Sequence, residues 1–191
     1  MPTINYSLFI PIFLLSVVNL SAQNTSIGLK AGFLQSSISN FGNEEAKTGF
    51  RVGAMLTYSI NKDFGLGAEA NFARKGGVDN ADRSINLDYL EIPLFAQYFF
   101  GSGSFRPKVM LGPYYALLLQ AQREGQELTS YEDQDYGLLL GLGFHKSLGG
   151  GKWLYVDGRY SFGIANIVAN TERTLSDFSL NAGISFPLGN Y

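Results

Sequence analysis

Phe50-Arg51-Val52-Gly53-Ala54-Met55-Leu56-Thr57-Tyr58-Ser59-Ile60 alternates along its whole length. Every even position is apolar, and the odd positions are small, polar or charged apart from Met55. Successive side chains of a strand point to opposite faces, so this stretch has one apolar and one polar side. The same period recurs along the chain, predicting about eight strands of a small membrane barrel. They fall near residues 26–34, 48–60, 64–75, 87–100, 108–120, 135–146, 153–164 and 176–188. The set Tyr136, Leu138, Leu140, Leu142 and Phe144 is a typical outward face, with Gly141 on the other side.

The segments between these strands are of two kinds. Asn61-Lys62-Asp63, residues 101–106 and residues 147–152 are short and rich in turn formers. Residues 35–47, 76–86, 121–134 and 165–175 are longer and polar. Short turns at one end and long loops at the other match the periplasmic and extracellular ends of an outer-membrane barrel, with both termini periplasmic. The aromatics follow the same division. Tyr58, Phe64, Tyr98, Phe100 and Trp153 lie beside the short turns, and Phe33, Phe50, Phe72, Phe162 and Phe178 lie near the long loops. Rings at both boundaries suit the interfacial girdles of a membrane barrel. Alternation alone also fits a soluble barrel with its apolar face turned inward; loop asymmetry and girdles favour the outward arrangement.

Composition bounds the remaining classes. The chain has 191 residues, the length of one domain, with 46% hydrophobic residues, 23 glycines and 14% aromatics. A net charge of −2 supplies no field for nucleic acid, and the lack of cysteine excludes disulfides and thiolate metal sites. Residues 8–18 form an apolar run too short to span a bilayer comfortably, followed by Leu20-Ser21-Ala22. Residues 1–22 are therefore expected to be a signal peptide, and 23–191 the barrel domain.

Tyr89-Leu90-Glu91-Ile92-Pro93-Leu94-Phe95-Ala96-Gln97-Tyr98 resembles the Tyr-Leu-Glu-Ile-Pro motif of the outer-membrane β-barrel domain family that includes PorT-like proteins. Pro107-Lys108-Val109-Met110-Leu111-Gly112-Pro113-Tyr114 and Ser26-Ile27-Gly28-Leu29-Lys30-Ala31-Gly32 resemble other strands of that family. The resemblance implies an integral outer-membrane protein and carries over no active site.

The inward faces collect Lys30, Arg51, Glu69, Glu91, Asp157 and Arg159, together with Asn71, Gln97 and Gln120. An eight-stranded barrel has a bore that side chains just fill, and an unpaired buried charge is costly. The expectation is a salt-bridged plug, with Arg51 beside Glu69 or Glu91. Other chemistry is thinly supplied. Glu69 and Glu91 could pair as an acid–base dyad, although Arg51 is the more economical partner for either. His145 is the one histidine, and no spacing ties Ser161 or Ser179 to it. Glu124, Glu127, Glu132, Asp133 and Asp135 make the third long loop acidic without the spacing of a calcium loop. Gly149-Gly150-Gly151-Lys152 lacks the Ser/Thr of a nucleotide loop.

The expectation is therefore an all-β, antiparallel, up-and-down transmembrane barrel in the outer membrane of a Gram-negative bacterium. It is monomeric and plugged, with a structural or interaction role carried by its outer loops. The alternatives are a narrow channel or small-ligand-binding barrel, an enzyme that modifies envelope lipid, and a soluble ligand-binding barrel. The expected partners are outer-membrane lipid, the barrel-insertion machinery and an envelope protein, with no cofactor, metal or nucleic acid.

Overall fold

The computed structural model describes residues 24–39, 46–78, 83–123, 125–128, 131–168 and 172–189. The expected signal peptide and Glu124 lie outside these residues. The strands are β1 (Thr25–Ile38), β2 (Lys47–Ser59), β3 (Phe64–Val78), β4 (Ser84–Phe99), β5 (Phe105–Arg123), β6 (Gln126–Glu127), β7 (Gln134–Gly149), β8 (Lys152–Gly163) and β9 (Leu175–Pro187). β6 is a two-residue appendage to β5, and the other eight are the staves of the barrel. Each stave pairs antiparallel with its neighbours in sequence, and β1 pairs with β9 from Ser26↔Pro187 to Ile38↔Leu175. That pairing closes the sheet, so no stave presents an open edge.

The short turns are made by the residues that turn chemistry demands. The Asn61 side-chain oxygen accepts the backbone N–H groups of Asp63 and Phe64 at 2.9 and 2.8 Å, closing the β2–β3 turn. Gly149, Gly150 and Gly151 carry φ angles of 85°, 58° and 74° at the β7–β8 turn, a conformation that glycine adopts without a Cβ penalty.

The two faces separate by chemistry. In β2, Arg51 is 2% exposed and the adjacent Val52 is 48% exposed. Leu29, Phe33, Leu66, Leu111, Leu142 and Leu180 all stand outward and exposed. A continuous apolar belt of this extent does not occur on a water-facing wall, so the soluble alternative, with its apolar face inward, is not the fold adopted. At the turn end Phe64, Tyr98 and Phe100 stack edge to face, with centroids 4.9 and 5.0 Å apart. At the loop end Phe50 meets Phe72 at 5.8 Å and Tyr160 meets Phe162 at 4.5 Å.

Two side chains depart from the expected faces. In the β4–β5 ladder Asp88 pairs with Gln120 while Tyr89 pairs with Leu118, which leaves Leu119 as an extra, bulged residue. The bulge reverses the alternation, so Gln120 is exposed and Ala121 takes the buried position. Strict period-2 alternation turns Gln120 inward, and the inserted residue turns it out. Trp153, expected in the outer girdle, lies on the same side of β8 as buried Tyr155 and Asp157, and its ring centroid is 6.3 Å from that of His145. The strands also run further than the alternation alone marks. β3 reaches Val78 and β5 spans Phe105–Arg123. At this loop end the outward positions turn polar, and Arg74 holds Asp88 through two hydrogen bonds of 2.7 and 2.6 Å.

Candidate functional site: the filled lumen

Inward positions on all eight staves bring five cations, Lys30, Arg51, Lys75, Lys108 and Arg159, against five carboxylates, Glu69, Glu91, Asp135, Asp157 and Asp177, all buried. The charges sort into two groups along the axis. In the first, Glu69 is gripped by Lys30 at 2.5 Å and by Arg159 through both guanidinium termini at 2.9 and 2.8 Å. Arg159 also binds Asp157 at 2.6 Å, and Lys108 stands 4.0 Å from the same carboxylate. Asn71 and Asn181 donate to Glu69 and Asp157 at 3.0 and 3.1 Å.

The second group is a square of two cations and two anions. Arg51 reaches Glu91 at 3.0 Å and Asp177 at 3.2 Å, and Lys75 reaches the same two carboxylates at 2.9 and 2.7 Å. Arg51 also donates to the Ser179 hydroxyl at 2.8 Å. Closure of the barrel explains this reach, since β2 and β9 both flank β1 and so stand two strands apart. Lys75 also sits 5.2 Å from the centroid of Tyr114, whose hydroxyl donates to Asp135 at 3.2 Å. Each charge here has opposite charges or hydrogen-bond partners around it, the condition under which buried ions are tolerated.

Both ends of the charged layer are covered. Toward the loops, Ile38, Ile85, Leu87, Tyr89, Ala116 and Leu175 form a buried apolar cluster joined by Ile167 from the β8–β9 connection. Ile167 is fully buried, and Leu128, Tyr131 and Val168 pack on the cluster from above. The two longest described connections are stitched together there: Glu132 donates its N–H to the Ile167 carbonyl at 2.9 Å, and Tyr131 bridges Val168. Toward the turns, His145 is ringed by Phe99, Trp153 and Tyr155 at centroid distances of 5.0, 6.3 and 5.7 Å. The Arg106 guanidinium lies 4.5 Å from the Phe99 ring centroid and donates to the carbonyls of Gly101 and Lys62, tying two short turns across the floor.

All six lumen charges singled out in the sequence, Lys30, Arg51, Glu69, Glu91, Asp157 and Arg159, lie buried and in contact with opposite charges. Of the two partners considered for Arg51, the ion pair is with Glu91; Glu69 is held by Lys30 and Arg159. Glu69 and Glu91 thus sit on different cations and form no dyad. Sequence reading missed Lys75, Lys108 and Asp177, each of which shares the parity of inward neighbours in its strand. It also placed Asp135 in the acidic loop, where the structure buries it in the bore. The neighbouring Glu127, Glu132 and Asp133 do remain exposed. Glu132 and Asp133 line a surface cleft of about 400 Å³ with Asn166 and Tyr136.

His145, Ser161 and Ser179 are all buried on inward positions, so none faces the outer wall. Within the Tyr89–Pro93 motif, Tyr89, Glu91 and Pro93 are buried in the lumen wall, while Leu90 is half-buried and Ile92 exposed on the outside. Among the described residues no group of three or more His, Asp or Glu is placed to hold a metal ion.

A family model described as an outer membrane protein beta-barrel domain matches residues 21–169. No curated protein matches the chain. Among solved structures, the chain is similar to Neisserial surface protein A at 16% identity and a TM-score of 0.66, covering 86% of this chain and 97% of that one. The outer membrane protein OprG from Pseudomonas aeruginosa aligns at 14% identity and a TM-score of 0.52, covering 85% of this chain and 95% of that one. The outer membrane enzyme PagL aligns at 13% identity and a TM-score of 0.50, covering 83% and 97%. At these identities the likeness is one of fold.

Proposed function

The chain belongs to the outer-membrane protein β-barrel domain family, and from that premise we propose that it is a sealed outer-membrane scaffold acting through its loops. The observation that carries this reading is the balanced charge layer enclosed between an apolar lid and an aromatic floor. Five charges of each sign cancel one another's field, so the bore offers a diffusing ion no net attraction. Function then falls to the loop end, since loops on a rigid scaffold carry recognition. There the clasp of Glu132 on Ile167 sets the β5–β7 and β8–β9 connections as one surface. The proposed partner is another envelope protein. The termini face the periplasm, the barrel is monomeric, and insertion uses the barrel-assembly machinery.

Within the family, the Tyr89–Pro93 motif supports kinship with PorT-like proteins, without assigning a role in secretion. The reading gives no residue a catalytic role. A lipid-modifying enzyme needs its base at the outer wall, and His145 points into the floor of the bore.

Reconstitution into planar bilayers tests the seal. The expected result is no steady conductance from inserted protein; discrete open-channel steps from the unmutated chain overturn the reading in favour of a narrow channel. The leader is tested separately, by N-terminal sequencing of protein from outer membranes, with Gln23 as the expected first residue.

A further inference from the structure

The apolar belt is not uniform. On the outer wall of β2 to β5 the paired residues run Leu56↔Ala68↔Leu94 in one row and Leu66↔Ala96↔Leu111 in the next. Each alanine is thus framed by two exposed leucines. Large–small–large across neighbouring strands cuts a furrow, and its volume is about 550 Å³.

The wall beneath the furrow is thin. A side chain at Gly67 would meet the Phe95 ring at 2.3 Å, and one at Gly112 would meet the Leu94 carbonyl oxygen at 2.0 Å. Both positions must stay glycine for Phe95 to fill the bore behind them. Strand pairing also lapses alongside. The β3–β4 ladder passes from Ala68↔Leu94 to Asn71↔Glu91, and the β4–β5 ladder passes from Pro93↔Tyr114 to Ala96↔Leu111. Pro93 and Pro113 bring no N–H to either ladder.

We propose that this furrow is a binding site for one lipid acyl chain. It opens on the face that the outer-membrane fold places in hydrocarbon, between the two girdles, so a chain is the occupant that the surroundings supply. On a flat part of the belt a chain touches protein along one side. In the furrow it meets alanine methyls and backbone below and leucines on both flanks, and many small dispersion contacts add up. The occupant therefore stays longer here than on the flat parts of the belt. This inference rests on membrane placement and not on the sealed lumen, so a conducting barrel would leave it intact.

The test uses the full barrel in nanodiscs of diphytanoyl phosphatidylcholine, whose methyl-branched chains are too broad for the furrow, with a rising fraction of phosphatidylcholine whose straight acyl chains are brominated. The single native tryptophan is removed as Trp153→Phe. A reporter is then placed either at the furrow end, Tyr58→Trp, or near the same boundary on the opposite wall, Phe186→Trp. The furrow reporter is expected to reach half-maximal quenching at a roughly threefold lower brominated fraction, a preference of about 0.65 kcal/mol. Adding Ala68→Leu and Ala96→Leu fills the floor and should bring the furrow curve onto the control. Heat-modifiable gel migration verifies folding of each variant, and Ala96→Leu alone should give an intermediate curve. Coincident curves with the floor unfilled, or a preference that survives the filled floor, overturn the site. A mass of two chains per nanodisc held through this face would assign the furrow to a second copy and overturn it equally.

Discussion

The inner and outer faces of the same staves obey different rules. On β2, Arg51 is committed to Glu91, Asp177 and Ser179 by direction and distance, whereas Val52 and Leu56 on the outside need only be apolar. Alternate residues of one backbone thus differ in how tightly their identity is specified. The inner face is a set of particular bonds in a confined space. The outer face is matched to a solvent, and lipid accepts any hydrocarbon of reasonable shape.

Removing an inner partner should therefore do the most damage. Arg51→Ala leaves Glu91 and Asp177 sharing Lys75 alone, and unfolding from lipid vesicles in urea should show a loss of about 3–5 kcal/mol. A loss under about 1 kcal/mol would mean that water reaches the square and that the inner face is less demanding than its geometry implies. On the outer face, Leu140 stands midway along β7, half exposed between Leu111 and Tyr160. Leu140→Arg should cost about 2–4 kcal/mol in the same assay, while Leu140→Val should be close to neutral. Equal penalties for the two substitutions would break the claim that this face is specified by class alone.

Pairwise couplings sharpen the inner side. Arg51→Ala and Glu91→Ala should be non-additive by about 0.5–3 kcal/mol, and Arg51→Ala with Glu69→Ala should couple less, because Glu69 is held by Lys30 and Arg159. A larger Glu69 coupling would show that the two charge groups act as one. The smallest effect belongs to Arg74 and Asp88, an outward pair at the loop end where the Arg74 side chain is 43% exposed. Arg74→Ala should cost under about 1 kcal/mol and lose most of that in high salt.

The same contrast explains what could be read from the chain. The outer pattern is legible because it needs one kind of residue at every second position, which a single strand reveals. Leu138, Leu140 and Leu142 announce their face without reference to any other strand. Six of the ten inner charges are legible for the same reason, but their bonds are not. Arg51 finds Asp177 because β9 returns beside β1, a fact of closure that no local window contains. Lys75 and Lys108 lie where polar loop and polar lumen look alike in sequence, so parity carried through the strand end is the one signal that marks them. Gln120 was misplaced by the bulge at Leu119, since one inserted residue exchanges the faces beyond it. Ile167, Leu128 and Val168 were hidden within connections that read as polar overall, although they complete the lid.

The seam between β1 and β9 also has a temporal meaning. The first strand of the barrel finds its second partner only in the last, so the contact that removes both open edges is also the one of greatest separation along the chain. Contacts of such long range form slowly. Until they form, β1 and β9 each carry a row of unpaired peptide groups next to a fully apolar face, a combination prone to misassociation. The finished barrel has no edge to defend, and the cost of that arrangement falls entirely on the interval before the last strand arrives.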